Sequence, residues 1–231
     1  MKKRNVAIIG CGQTKHSSRR RDVNVAEMVS EAVCNALEDA QVSMREVDAF
    51  VLGNMPGFGG VAQPEQWIGD SIGAAGKPVI RIATGGTTGG SVGQGGYYVV
   101  ASGLHNLVVA AAWEKHSDSK EAGATTGLLH VGLGNFFHAS AYGLSLKNLV
   151  ATSVVGAAAG VAVYQATFYM HRSGCSIKHF DMVAAKARRN AAKNKYAHLQ
   201  WPGCTAEDIA QTEIITYPFR YGHVCPASDG A

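Results

Sequence analysis

Short apolar runs and glycine-bounded turns alternate along the first half of the chain. Val6-Ala-Ile-Ile-Gly10 is apolar, β-branched and closed by glycine, the pattern of a buried parallel strand. Ala26, Val29, Val33, Leu37 and Ala40 recur three or four apart, which predicts an amphipathic helix with Asn24 as its N-cap. Asp48 to Gly53 reads as the next strand, Pro56 to Gly60 as a turn-rich loop, and Pro64 as the start of a short helix reaching Ile72. Val79 to Ala83 is a third strand and Leu107 to Trp113 a fourth. Between those two lie the glycine-rich turn Thr84 to Gly96 and a helix from Gly89 to Ser102. Strands alternating with helices at this spacing predict a parallel α/β sheet.

The pattern changes after His116. Ser117 to Asn148 is rich in Gly, Ala, Ser and His and has no clear period. Ser153 to Arg172 is apolar almost all round, which predicts a helix buried against the sheet or a partner. Ile177 to Lys195 is amphipathic and carries Lys186, Arg188, Arg189, Lys193 and Lys195; Asp208 to Tyr217 reads as a return towards the sheet. The expected division is therefore a core over 1–116, a loop and helical insertion over 117–211, and a return segment over 212–231.

Composition adds an expectation of assembly. Charged residues make up only 16%, against about 25% in average soluble domains, so part of the surface is expected to lie against a partner. The net charge of +4 comes from two basic clusters without interleaved aromatics, a pattern of solvated faces that gives no case for nucleic acid. The five cysteines have no CxxC pair and no zinc spacing, which suits a reducing cytoplasm. No apolar run is long enough to span a bilayer.

Gly10-Cys-Gly12 suggests a dinucleotide loop, but the third glycine of that motif would fall on Lys15, and no helix follows at once. Gly85 to Gly90 has nearly the spacing of a triphosphate loop, yet Ser91 and Val92 stand where Lys and Ser/Thr are required. What remains is a turn between a strand's carboxyl end and a helix start, where unpaired N–H groups favour a thiolate, an oxyanion or a phosphate. Gly93, Gly95 and Gly96 each cost their helix about 1 kcal/mol relative to alanine, which predicts tight packing against other backbone. His130 and His138 lie in the irregular segment without metal-site spacing, and Glu114-Lys115-His116 reads as a strand-end ion pair.

Taken in order, VAIIGCGQTK, GKPVIRIATGGTTGGSVGQGGYYVVASG, VVAAAWEKHSD, YMHRSG, AAKARRNAAKNKYAH and ITYPFRYGHVCPASDGA resemble the N-terminal half of a thiolase-superfamily protein. The similarity is to the sterol-carrier-protein-type thiolases and the steroid side-chain aldolase-like branch. The resemblance implies a mixed, mostly parallel sheet with helices on both faces, an inserted helical loop region, and an acyl-CoA thioester as substrate with no separate cofactor or metal. In active relatives this turn carries a nucleophilic cysteine; the matching position here is Gly86. The implied activity is therefore C–C bond formation or cleavage of an acyltransferase or retro-aldolase type, in lipid metabolism, without a thiol in the turn. Gly85, Gly86, Thr87 and Thr88 are the expected substrate-binding residues, with Arg188, Arg189 and Lys193 facing the nucleotide phosphates. The chain stops just before what resembles a strand completing the first half, which predicts an open sheet edge. Implied partners are a homo- or hetero-oligomer, a C-terminal thiolase half and a small OB-fold subunit. The alternatives are an inactive thiolase-fold scaffold subunit or a truncated fragment.

Overall fold

The computed structural model describes residues 4–55, 63–121 and 157–231, which fall into two units: 4–121 with 228–231, and 157–227. In the first unit, α1 (Val25–Ala40) begins at the expected cap. The Asn24 side chain accepts the Glu27 N–H at 3.0 Å while the Glu27 carboxylate accepts the Asn24 N–H at 2.8 Å, a capping box that satisfies two orphan donors. Its inner face, with Met28, Val29 and Val33, is buried.

Against that face lies a parallel sheet of β1 (Ala49–Gly53), β2 (Val79–Ile82) and β3 (Val108–Ala112), in the order β2-β1-β3. Val51 stands opposite Ile80 on one side and Ala110 on the other. The central strand is buried at every residue, and Phe50, Val51 and Leu52 are wholly enclosed, each worth roughly 1.5–3 kcal/mol of burial. The Asp48 carboxylate ties the starts of β1 and β3 by accepting the N–H groups of Asn106 and Leu107 at 2.7 and 3.0 Å. The short helix α2 (Pro64–Gly69) has its proline in the first turn, where the missing N–H does no harm. α3 (Thr88–Ala101) connects β2 to β3, and α4 (His116–Glu121) follows β3.

One expected strand is absent. Residues 6–10 form no strand, and Ile8 and Ile9 are 86% and 54% exposed. A β-branched run becomes a strand only where a neighbour completes its ladder, and among the described strands β1 already has both edges filled while β3 pairs with β1 alone. The segment leads instead onto α1: a Cβ added at Gly12 would lie 2.0 Å from the Ala32 carbonyl oxygen, so only glycine fits. Residues 229–230 make antiparallel bridges on both sides, Asp229 to Ser17 and Gly230 to Glu114.

The second unit contains α5 (Ala157–Ser173), α6 (Ile177–Ala191) and α7 (Ala206–Ala210), then a hairpin of β4 (Ile214–Thr216) and β5 (Phe219–Arg220). Ala185, Cys204 and Ile209 form its small core. The buried Asp181 carboxylate lies 2.7 Å from His223 Nε2 and 3.5 Å from Arg220 Nε, binding α6 to the segment after α7. Three details refine the sequence reading. On α5, Phe168 and Tyr169 are exposed within this chain, so of the two expected covers for that face only a partner is left for them. α6 stops at Ala191, leaving Lys193 and Lys195 beyond it. Of the expected return segment, residues 212–227 stay with the second unit and 228–231 join the first.

The glycines of α3 divide by face. A Cβ at Gly95 would fall 2.4 Å from Ile82 Cδ1 and one at Gly96 3.2 Å from Ala110 Cβ, whereas at Gly90 and Gly93 it would meet nothing of the described residues within 4 Å. Tight packing thus accounts for the sheet-facing glycines and not for the others. Gly93→Ala should stabilise the chain by about 1 kcal/mol through helix propensity. Gly53→Ala should lower stability by about 2 kcal/mol through overpacking, because its Cβ would sit 2.7 Å from the Ile82 carbonyl oxygen. Urea midpoints of the two variants check both signs.

Candidate functional site

After β2 the chain turns at Gly85, whose φ of 67° lies in the left-handed region that glycine enters without strain. One 3₁₀ turn, Gly85–Thr87, then feeds α3. The hydroxyls of the turn are occupied with the turn itself. Thr88 Oγ1 donates to the Gly85 carbonyl at 2.7 Å and accepts the Thr84 N–H at 3.0 Å. Thr87 Oγ1 lies 2.9 Å from the Thr84 carbonyl, and Thr84 Oγ1 donates to Ser91 Oγ at 2.8 Å. Thr87, at the N-cap of α3, makes no side-chain cap bond, so no side chain takes the first N–H groups of the helix from this position. A Cβ added at Gly86 or Gly90 would reach no atom of the described residues within 4 Å. The result is an open, side-chain-free floor at the positive end of a 14-residue helix.

No cysteine stands in this turn: Cys11, Cys34, Cys175, Cys204 and Cys225 all lie elsewhere as free thiols. The four expected substrate-binding residues of the turn, Gly85, Gly86, Thr87 and Thr88, are contiguous at its bend, with Thr88 buried and Gly86 and Thr87 exposed.

A second group of polar residues gathers at the carboxyl ends of the strands, where open parallel sheets place their ligands. Arg81 of β2 donates to Asn54 Oδ1 at 3.1 Å, just past β1, and faces Glu65 of α2 at 3.3 Å. Glu114, just past β3, accepts the Met55 N–H through Oε1. It borders a narrow recess of about 20 Å³, room for about one water molecule, whose walls include Trp67, Trp113, Asn54 and Lys115. Burial pushes the Glu114 carboxyl up to about 7, against the opposing pull of the Met55 N–H and the Arg81 charge. The strand-end ion pair read from the sequence has other partners: Lys115 Nζ reaches Asp118 Oδ1 at 2.5 Å, because α4 brings the residue three positions on to the same side. Asp229 is buried beside them; burial opposes its charge, but Ser117 Oγ–H, the Arg20 N–H and the Ser117 N–H outweigh this and hold it below the usual carboxylate range.

In the second unit the basic residues are placed differently from the sequence reading. Arg188 donates to the carbonyls of Gly222 and Val224 at 3.1 and 3.0 Å, and Arg189 to that of Cys204 at 2.6 Å. The guanidinium groups satisfy these carbonyls. Lys193 is exposed past the end of α6. His130 and His138 lie outside the described residues. Among the described residues no group of three His, Cys, Asp or Glu could hold a metal, and no helix is long and apolar enough to cross a membrane.

No protein-family model matches the chain. It is 29% identical over 231 residues to the acetyl-CoA acetyltransferase of Methanothermobacter thermautotrophicus, covering 99% of this chain and 55% of that protein. It is 25% identical over 230 residues to the benzoylsuccinyl-CoA thiolase subunit BbsB of Thauera aromatica, covering 99% of this chain and 54% of that one. Sterol carrier protein 2 of Oryctolagus cuniculus matches at 26% over 234 residues, with 98% of this chain and 40% of that protein covered. The chain therefore spans about half the length of the curated relatives it matches. Among solved structures, the Ltp2-ChsH2(DUF35) aldolase matches with a TM-score of 0.68 and 25% identity, covering 97% of this chain and 53% of that one. Human mitochondrial 3-ketoacyl-CoA thiolase in complex with CoA matches with a TM-score of 0.63 and 15% identity, over 96% of this chain and 61% of that one, a likeness of fold alone. The thiolase-superfamily resemblance and the α/β thiolase-like fold read from the sequence are both borne out.

The raised Glu114 value carries a stability consequence. Below its ordinary value of 4.5 the carboxyl is protonated folded or unfolded; between 4.5 and about 7 the unfolded chain releases the proton first. Stability therefore falls as pH rises through that window. Glu114→Gln should be more stable than the parent at pH 8 by on the order of 2 kcal/mol, and the advantage should vanish below pH 4.5. Urea denaturation at the two pH values measures it.

Proposed function

We propose that this thiolase-fold chain receives the thioester end of an acyl-CoA at the turn Gly85–Thr88 and takes part in forming or cleaving a C–C bond without an acyl-cysteine intermediate. The observation that carries the reading is the turn itself: an open glycine floor at a helix start, with Gly86 where a thiol would act and every nearby hydroxyl engaged within the turn. A developing oxyanion is the charge such a site stabilises best. Relatives whose names include acetyl-CoA acetyltransferase and benzoylsuccinyl-CoA thiolase support the substrate class, and the aldolase likeness supports C–C chemistry.

In the second unit, Lys193 and Arg189 are exposed, while Arg188 holds the Gly222 and Val224 carbonyls. A complementary thiolase half and a small OB-fold subunit are the proposed partners. The aldolase neighbour's title names two components, Ltp2 and ChsH2(DUF35), and the relatives are about twice as long as this chain. The five free thiols suit work in a reducing cytoplasm.

Titration calorimetry of acetyl-CoA against the 231-residue chain tests the reading. Binding should be measurable, and Gly86→Ala should weaken it at least about tenfold while leaving the unfolding midpoint nearly unchanged, since among the described residues nothing lies within 4 Å of the added Cβ. Mass spectrometry after incubation with acetyl-CoA should show no acylated protein. An absent binding heat, an indifferent Gly86→Ala variant, or a stable acyl-protein would contradict it.

A further inference from the structure

We propose that the outer side of α6, with the loop at its carboxyl end, is a docking surface for a phospholipid bilayer carrying anionic headgroups.

The surface begins with a spacing. Lys178, Met182, Lys186 and Arg189 recur three or four apart in α6, so they stand on one side of the helix, and Lys193 follows just past its end. All five are exposed, Met182 by 53%. Asp181 and Ala185, one position out of step with them, are buried in the unit's own interior. The exposed side is therefore what remains of the helix once the fold has used it. From Ile177 to Cys204 the chain has one acid, Asp181, and its carboxylate is spent on His223 and Arg220. Among the described residues Lys178, Lys186 and Lys193 make no salt bridge. The segment thus presents positive charge with no acid of its own to offset it.

The loop after α6 brings apolar groups to the same end. The Gln200 amide donates to the Asn194 carbonyl at 2.6 Å, and Arg189 donates to the Cys204 carbonyl at 2.6 Å, so the loop is folded back onto the end of the helix. Leu199 and Trp201, the neighbours of Gln200, stay 37% and 41% exposed. Along the sequence the basic cluster reads as a solvated face; the fold sets an indole and an aliphatic side chain beside it.

That combination matches a headgroup layer. Lysine and arginine meet the phosphates, their apolar stems and the Met182 and Leu199 side chains reach the acyl boundary, and tryptophan prefers the interface itself. Each basic residue held near an anionic bilayer raises partition about fivefold, an effect that salt screens. A protein partner fits less well, because protein interfaces are depleted in lysine and close around a packed apolar centre, whereas here cations separate the apolar residues. No helix among the described residues is long and apolar enough to cross a membrane, so the contact proposed is peripheral.

Co-sedimentation of the 231-residue chain with vesicles tests the proposal. The chain should bind vesicles of phosphatidylcholine mixed with phosphatidylglycerol, ignore vesicles of phosphatidylcholine alone, and come off in high salt. Binding should shift the tryptophan emission to the blue, and Trp201→Phe should abolish that shift. Lys186→Glu combined with Lys193→Glu should weaken binding at least about tenfold with the unfolding midpoint unchanged. The milder pair Lys186→Gln and Lys193→Gln should weaken it in the same direction. The proposal is overturned by an absence of binding to the mixed vesicles, by equal binding to neutral ones, by charge variants that bind as the parent does, or by a blue shift that survives Trp201→Phe. Release of the bound chain by stoichiometric coenzyme A also overturns it, since the cations then serve a nucleotide.

Discussion

The fit of α3 onto the end of β1 at Gly53 is the contact on which the rest of the first unit depends. At that position a single added carbon would lie 2.4 Å from Val92 Cγ2, 2.7 Å from the Ile82 carbonyl oxygen and 2.8 Å from Thr88 Cγ2. Helix and sheet meet there without a side chain between them. The same residue accepts the Trp113 N–H, which fixes where β3 ends and where Glu114 begins. One close approach thus sets the start of the helix, the shape of the turn before it and the place of Glu114 just past β3.

Chemistry follows from what that contact leaves open. The sheet-facing glycines of α3 serve packing, while Gly86 and Gly90 serve nothing within this chain's described residues. Open glycine is unfavourable in a helix and is retained where backbone must meet something else closely. At the helix start that something is proposed to be a thioester. The threonines around it hold the bend, so the charge-stabilising part of the site is backbone.

The architecture was largely legible in the sequence because β1, β2, β3 and α3 are each announced by a local signal: a β-branched apolar run, or a glycine turn leading into a helical period. Residues 6–10 carry the same signal and form no strand, because a strand also needs a neighbour that no local pattern reveals. Arg188 and Arg189 read as a ligand-facing cluster, but the carbonyls they satisfy lie 15 to 36 positions away. Glu114 read as half of an ion pair with its neighbour; α4 gives that neighbour to Asp118 and leaves the glutamate to burial. Its usable signal was its place, an acid immediately after a buried strand at the ligand-binding end of a parallel sheet.

The central claim is that the helix start at Gly86–Gly90 meets the thioester. Backbone amide NMR of the ¹⁵N-labelled chain, titrated with acetyl-CoA and in parallel with free coenzyme A, tests it most directly. The account predicts that Gly86, Gly89 and Gly90 shift most, and more with the thioester than with the free thiol. Shifts confined to the second unit, or identical with both ligands, would contradict it.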